Sequence, residues 1–271
     1  MKDQILLIGC GNLGRLLLKN WHKKKCSVSV LDKRNYVKNF LNMEFSKVRF
    51  YQKLVDINFD EFSIIIFCIK PQDSKQIFYD VSKFISKNHI LVSLVAGLKI
   101  KTIKNCLKKS NNIIRGMPNI FSSVEKSSTA IFSNKKLSKG IKTKIDNLFN
   151  LLGENFWLKR ESEMDFFTAM FGGGPAYFFY FLNTILVIAK NQGIPKQKAE
   201  KLLKNLLAGT LEFTDQKKLS FSKLISIVTS KGGTTEEAIK HFEENEKFFR
   251  LLSKGIEKAE LKSKKISKSL N

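Results

Sequence analysis

No two cysteines in this chain stand in a CxxC or Cys/His metal spacing: Cys10, Cys26, Cys68 and Cys106 are scattered. That excludes a disulfide framework and a zinc site, and it predicts reduced thiols in a cytoplasmic protein. Cys10 and Cys68 fall in apolar surroundings and read as small buried hydrophobes. Histidine is equally sparse. His22, His89 and His241 lie far apart, so no histidine-based nucleophile–base pair and no metal-ligand cluster is visible. No leader is apparent either, because Met1-Lys2-Asp3 runs straight into an apolar strand. Repeats and low-complexity linkers are missing, which predicts a tight junction between any domains.

Acidic residues are scarce: 24 Asp and Glu face 48 Lys and Arg, for a formal charge of +24. Such a charge suits nucleic acid or anionic membrane. The lysines, however, are spread along the chain and mixed with acids on helical segments, the pattern of solvated faces; nucleic acid is not expected as a partner. The basic end, residues 262–268, reads as a fraying helix terminus. Phe166 to Ala189 carries no charge and has the length of a bilayer span. Gly172-Gly173-Gly174-Pro175 inside it is expected to break a spanning helix. The segment therefore reads as a helix buried in a core or subunit interface, with no membrane.

With 271 residues the chain has room for two domains, each with a core. Its first half alternates short apolar runs with amphipathic segments, the pattern of a parallel α/β sheet. Strands are expected at Gln4–Ile8, Ser27–Leu31, Ser63–Ile69, Ile90–Val95, Asn112–Arg115 and near 128–132, the last before a helix around 136–152. Beyond about residue 160 long helices take over: 163–171, 176–192, 196–214, 221–228 and 235–264. Gly193 and Pro195 punctuate two of them. The expected architecture is a Rossmann-type dinucleotide-binding domain over residues 1–160, followed by an all-α domain over residues 161–271.

Directly after the apolar run Ile5-Leu6-Leu7-Ile8 stands Gly9-Cys10-Gly11-Asn12-Leu13-Gly14. A strand, GxGxxG and a helix in that order form a dinucleotide fingerprint. Gly9 permits the tight turn, Gly11 admits the pyrophosphate, and Gly14 lets helix and strand pack closely. The helix start at Asn12 and Leu13 offers free N–H groups to the phosphates. About twenty residues on, Asp32 ends the second strand, where a carboxylate binds a ribose 2′-hydroxyl and favours NAD. Lys33 and Arg34 follow at once and suit a 2′-phosphate, favouring NADP. The cofactor is accordingly NADPH or NADH. If Asp32 is the ribose acceptor, Asp32→Ala shifts preference toward NADPH.

Further strand ends carry Lys70-Pro71-Gln72, Ala96-Gly97 and Met117-Pro118-Asn119. Lys70 and Pro71 are placed to orient ribose or nicotinamide, Ala96 and Gly97 to present a flat surface to the ring, and Asn119 to bond the carboxamide or the substrate. In the helical half, Ser230-Lys231-Gly232-Gly233-Thr234-Thr235 frees the backbone to curl before a helix, so that consecutive N–H groups can grip a carboxylate. The same residues also suit a helix cap, with Thr234 or Thr235 capping and Glu237 in the first turn. Other acid–base machinery is absent. Hydride addition to a cationic imine requires little of it, so the composition favours imine reduction over alcohol oxidation.

Taken in order, the Gly9–Gly14 loop, Lys70-Pro71-Gln72, Ala96-Gly97, Met117-Pro118-Asn119, Gly174-Pro175-Ala176-Tyr177 and Gly232-Gly233-Thr234-Thr235 resemble the pyrroline-5-carboxylate reductase family over nearly the whole chain. The resemblance implies reduction of 1-pyrroline-5-carboxylate to L-proline by NADPH or NADH. It implies a homodimer or larger homo-oligomer joined through the helical domain. It also implies that Ser230, Gly232, Gly233, Thr234 and Thr235 hold the substrate, with the Thr235 hydroxyl at the ring nitrogen. Phe171 and Gly173 stand where the family has a serine-rich run, and Lys231 stands where it has proline. Another cyclic imino acid as substrate, or a cofactor-binding regulator without catalysis, are the alternatives. A β-hydroxyacid dehydrogenase would need a lysine within 163–180, and none is present.

Overall fold

Strand β1 (Gln4–Ile8) carries four successive buried apolar side chains, and a strand sends neighbours to opposite faces. Ile5 and Leu7 thus enter one core, Leu6 and Ile8 another. The computed structural model describes residues 3–45, 47–108 and 112–271. In β4 (Ile64–Phe67) the division recurs: Ile64 and Ile66 join the first core, Ile65 and Phe67 the second. A sheet buried on both faces requires helices on both. Helices α1 (Asn12–Lys23), α2 (Asn35–Glu44) and α5 (Lys139–Asn150) cover one side through Leu17, Leu41 and Phe149. On the other side, α3 (Ser74–Val81), α4 (Ile100–Cys106) and α6 (Glu163–Phe167) contribute Phe78, Ile103 and Met164.

The remaining strands are β2 (Ser27–Leu31), β3 (Phe50–Tyr51), β5 (Ile90–Ser93), β6 (Asn112–Met117), β7 (Ser127–Ser133) and β8 (Gly153–Trp157). Their order is β3-β2-β1-β4-β5-β6-β7-β8. Pairing is parallel from β3 to β6; β7 runs antiparallel to β6, and β8 parallel to β7. From β1 the chain moves outward to β2, then returns to β4 on the other flank of β1. That reversal opens a crevice at the carboxyl ends of β1 and β4, where α/β sheets bind ligands. Register aligns those ends, because Ile8 pairs with Leu31 and with Phe67.

Two strands were not foreseen. β3 has only two residues, and β8 (Gly-Glu-Asn-Phe-Trp) lacks a buried face; each forms because a neighbour supplies its pairing. Gly153 marks the second. Its φ is +138°, and a Cβ there would lie 2.3 Å from Ser127 O. The helix expected near 136–152 is trimmed to Lys139–Asn150, with Ser138 Oγ accepting from Ile141 N at 3.3 Å.

The glycine–proline block does not end its helix. Thr168–Gly172 form a π turn, closed by Gly173 N donating to Thr168 O at 2.9 Å, and α7 (Gly174–Asn191) follows with Pro175 in its first turn. The run Glu163–Asn191 is, by length and composition, apolar enough to cross a membrane. Then come α8 (Lys196–Lys217), α9 (Phe221–Val228), α10 (Thr234–Glu243) and α11 (Lys247–Leu270). The single helix expected over 235–264 is thus two. Asn245 and Glu246 break it at φ +51° and +55°, a left-handed step that asparagine tolerates and no glycine announces. Nor does the basic end fray: Ser267 is buried, and the helix runs on to Leu270.

By its contacts the chain forms two units: residues up to Pro175 with Glu257–Asn271, and Ala176–Ile256. The first holds both cores. In the second, Ala199 and Leu224 are the buried side chains among the described residues, whereas Phe178, Leu206, Leu211 and Phe249 are more than half exposed. A helical unit with so little of its own core gains stability from whatever covers it.

Ile66, fully buried in the central strand, tests the sheet. Ile66→Ala is expected to cost about 2–5 kcal/mol of stability. Chemical denaturation followed by tryptophan fluorescence reads this as a clear fall in midpoint; an unchanged midpoint would remove β4 from the core.

Candidate active site

The turn from β1 into α1 is shaped by three glycines, each for a different reason. Gly9 has φ +92°, and a Cβ on it would lie 2.5 Å from Cys68 O. A Cβ on Gly14 would lie 2.6 Å from Gly9 O. Only Gly11 faces space: the nearest atom to its would-be Cβ is Arg34 Nη2, at 3.9 Å. Gly11 caps α1 without a side-chain hydrogen bond, so the first-turn N–H groups of Asn12, Leu13 and Gly14 have no intrahelical acceptor. An open glycine before a run of free N–H groups fits a pyrophosphate. Cys10 N is not part of that donor set, because it donates to Asp32 Oδ2 at 2.8 Å.

Asp32, at the end of β2, is the most heavily engaged carboxylate here. Besides Cys10 N it accepts from Arg34 N (3.1 Å), Arg34 Nε (2.7 Å) and Arg34 Nη2 (2.5 Å). Burial acts to raise its pKa, but the Arg34 and Cys10 hydrogen bonds outweigh burial and lower it. Arg34 Nη1 also bonds Tyr36 Oη at 2.6 Å. Lys33 is exposed. Arg15, which the sequence reading passed over, belongs to the same cluster. Its guanidinium carbon lies 5.1 Å from the Tyr36 ring centroid and 4.5 Å from that of Phe40, and its buried Nε has no hydrogen-bond partner. The available signal was a cation directly after the third glycine. Burial pushes the thiols of Cys10 and Cys68 up to about 12, so both stay protonated and inert.

At the end of β4, Lys70 is exposed and precedes the turn Pro71–Asp73. After β5, Ala96 is half-buried, while Gly97 (φ +76°) packs against α11: a Cβ would lie 3.0 Å from Ile266 Cγ2 and 3.1 Å from Ser267 N. That contact explains the glycine without reference to a nicotinamide. The loop is also tied from afar. Asn271 Nδ2 donates to Gly97 O at 2.9 Å, and Asn271 Oδ1 accepts from Lys99 N at 3.0 Å and from Thr102 Oγ1. Glu161 Oε1 accepts from Ile100 N (2.8 Å) and pairs with the buried Arg115 (3.0 Å). Two distant side chains therefore cap α4, which has no local cap. Asn119 is buried and committed within the chain: Oδ1 accepts from Phe121 N, and Nδ2 donates to Phe171 O, both at 3.0 Å.

In the second unit, the turn between α9 and α10 is closed by Gly233 N donating to Ser230 O at 3.0 Å, with Gly232 at φ +73°. The cap of α10 is Gly233, not Thr234 or Thr235 as the sequence suggested. Thr234 and Thr235 begin the helix and are exposed. Glu236, rather than Glu237, reaches back, accepting from Gly232 N at 2.8 Å; that bond is the main cause of its lowered pKa, with Lys240 adding to it. The N–H groups of Thr234 and Thr235, in the first turn of α10, have no intrahelical acceptor. Among the described residues no His/Cys/Asp/Glu group is arranged for a metal.

The asymmetry among the glycines yields a prediction. Gly11→Val is expected to fold with an unchanged melting temperature and to lose dinucleotide binding, because its side chain fills the open face. Titration of the purified variant checks this; retained affinity would place the pyrophosphate elsewhere.

Comparison with known proteins follows the same lines. A family profile described as pyrroline-5-carboxylate reductase dimerisation matches residues 161–266, and one described as ketopantoate reductase PanE/ApbA matches residues 5–139. The pyrroline-5-carboxylate reductase of Aquifex aeolicus is 28% identical over 245 residues, covering 88% of each chain. The structure of that of Coxiella burnetii matches with a TM-score of 0.88 and 26% identity over 98% of this chain and 99% of its own. In fold, the Plasmodium falciparum pyrroline carboxylate reductase, solved with NADP bound, matches with a TM-score of 0.84 at 21% identity over 98% of both. With a Rossmann-type half, a matching dimerisation half and both glycine-rich loops in place, the chain is similar in both halves to pyrroline-5-carboxylate reductases.

Proposed function

We propose that this protein reduces 1-pyrroline-5-carboxylate to L-proline, using NADPH or NADH, as a cytoplasmic homo-oligomer. The observation that carries the reading is the open face over Gly11 at the β1/β4 reversal, in a chain that also retains the full Gly232-Gly233-Thr234-Thr235 loop. Residues 1–160 serve the cofactor, and residues 161–271 serve dimerisation and substrate. The family profile over 161–266 supports that division, although contacts group residues 161–175 and the end of α11 with the first half. The exposed apolar side chains of Ala176–Ile256 support burial against a second copy. Four cysteines, none in a disulfide, support a reducing compartment.

The N–H groups of Asn12, Leu13 and Gly14 would hold the pyrophosphate, Lys33 and Arg34 the adenosine end, and Lys70, Pro71, Ala96, Gly97 and Asn119 would border the nicotinamide end. When bound, the cofactor supplies the hydride. The chain's own residues bind and orient. In the substrate loop, Ser230, Gly232, Gly233 and the N–H groups of Thr234 and Thr235 hold the carboxylate, with Glu236 yielding Gly232 N as the acid arrives. The Thr235 hydroxyl meets the ring nitrogen and fixes the orientation of the imine in this loop. Little else is needed, because an iminium is already activated toward hydride, and catalysis rests on positioning and electrostatics.

A steady-state assay with pyrroline-5-carboxylate and each nicotinamide tests the activity directly; no oxidation of either cofactor would refute it. Thr235→Ala is expected to lower kcat by roughly 10²-fold, the usual scale for loss of one positioned proton-handling group, while cofactor affinity stays unchanged. Full turnover in that variant would take Thr235 out of the site.

A further inference from the structure

The cluster around Asp32 decides which of the two cofactors fits. A carboxylate has about four lone-pair positions, two on each oxygen. Asp32 Oδ1 accepts from Arg34 N and Arg34 Nε; Asp32 Oδ2 accepts from Cys10 N and Arg34 Nη2. Every acceptor position is filled from within the chain. A ribose 2′-hydroxyl seeking this carboxylate must first displace a two-point, charge-assisted contact, which is among the stronger side-chain pairs.

The opposite ligand chemistry is well provided for. Of the five N–H groups of Arg34, three are spent on Asp32 and Tyr36, which leaves donors on a guanidinium whose Nη2 stands by Gly11. Arg15 comes to the other arginine's aromatic neighbour: both guanidinium carbons lie 5.1 Å from the Tyr36 ring centroid. Arg15 Nε is buried and has no hydrogen-bond partner. A buried, unpartnered donor on a charged group is costly without a ligand. Arg34 already neutralises the one carboxylate here, and Lys33, next to it in sequence, is exposed.

We propose that this chain selects the 2′-phosphorylated dinucleotide, NADPH, over NADH, that Arg15 is a ligand of the 2′-phosphate together with Arg34, and that Asp32 is a positioning residue for Arg34, not a ribose acceptor. The proposal rests on the reductase reading only for the presence of a dinucleotide. It reverses the meaning of Asp32 in the sequence: a carboxylate that spacing assigns to NAD serves here to aim an arginine. Asp32→Ala therefore does not shift preference toward NADPH; it loosens the group that recognises the phosphate.

Equilibrium titration separates these roles without turnover or imine. The purified full-length protein and its Arg15→Gln, Arg34→Gln and Asp32→Asn variants are titrated with NADPH and NADH by nicotinamide fluorescence, and with 2′,5′-ADP and 5′-AMP by competition. Wild type is expected to bind NADPH at least about tenfold more tightly than NADH, the scale of one charge-assisted hydrogen bond. Arg15→Gln lowers affinity for NADPH and 2′,5′-ADP by about that factor, leaving NADH and 5′-AMP within about twofold. Arg34→Gln weakens NADPH and strengthens NADH, because the Asp32 oxygens are released. Asp32→Asn weakens NADPH without improving NADH. Equal wild-type affinities, an Arg15→Gln loss shared by both cofactors, or tighter NADPH binding in Asp32→Asn would each overturn the proposal. Selective NADPH binding without imine reduction would leave it standing and refute the reductase reading; binding of neither cofactor would overturn both.

Discussion

The close approach of backbone to backbone where β1 turns into α1 sets the terms for the rest of the cofactor half. Gly9 lies against the carbonyl of Cys68, and Gly14 against the carbonyl of Gly9, at distances that exclude any side chain. These contacts draw the start of α1 down onto the ends of β1 and β4, so its unpaired N–H groups face the crevice opened by the chain reversal. The same geometry brings Cys10 N to Asp32 and fastens β2 to the loop. An anion site, a strand junction and the placement of Arg34 follow from one tight turn.

The helical half obeys a different constraint. Helices α7 and α9 are strongly apolar, yet within one chain Ala176–Ile256 buries few of its apolar side chains. A run such as Glu163–Asn191 satisfies the length and hydropathy of a membrane span. The family profile it matches is one of dimerisation, and a lone helical layer of this kind lacks apolar cover. The large positive charge has no such explanation in the fold. It is distributed over exposed lysines, and its ion pairs are mostly surface pairs of small energetic consequence.

What the sequence revealed was local. Ile5-Leu6-Leu7-Ile8, Ile64–Phe67 and the glycine loop are legible because strand burial and turn geometry are written in consecutive residues. What stayed hidden comes from partners far along the chain. β8 exists through its pairing with β7, and α4 is capped by Asn271 and Glu161. The α10–α11 break falls at Asn245 and Glu246, in a stretch with no glycine or proline to signal it. At the site, Asp32 and Arg34 were both visible as residues, but their mutual saturation was not, because spacing cannot say whether neighbouring opposite charges face a ligand or each other. Arg15 escaped for a related reason. Its neighbours Tyr36 and Phe40 lie on another helix.

The central claim is that a reduced nicotinamide held over the β1–α1 turn delivers its hydride to the imine carbon of a bound cyclic imino acid. It is tested most directly by running the reaction with cofactor deuterated at nicotinamide C4 and locating the label in the product. The account predicts L-proline carrying one deuterium at C5, the former imine carbon, transferred from a single face of the nicotinamide. Proline formed without the label whichever face of C4 carries the deuterium would contradict it.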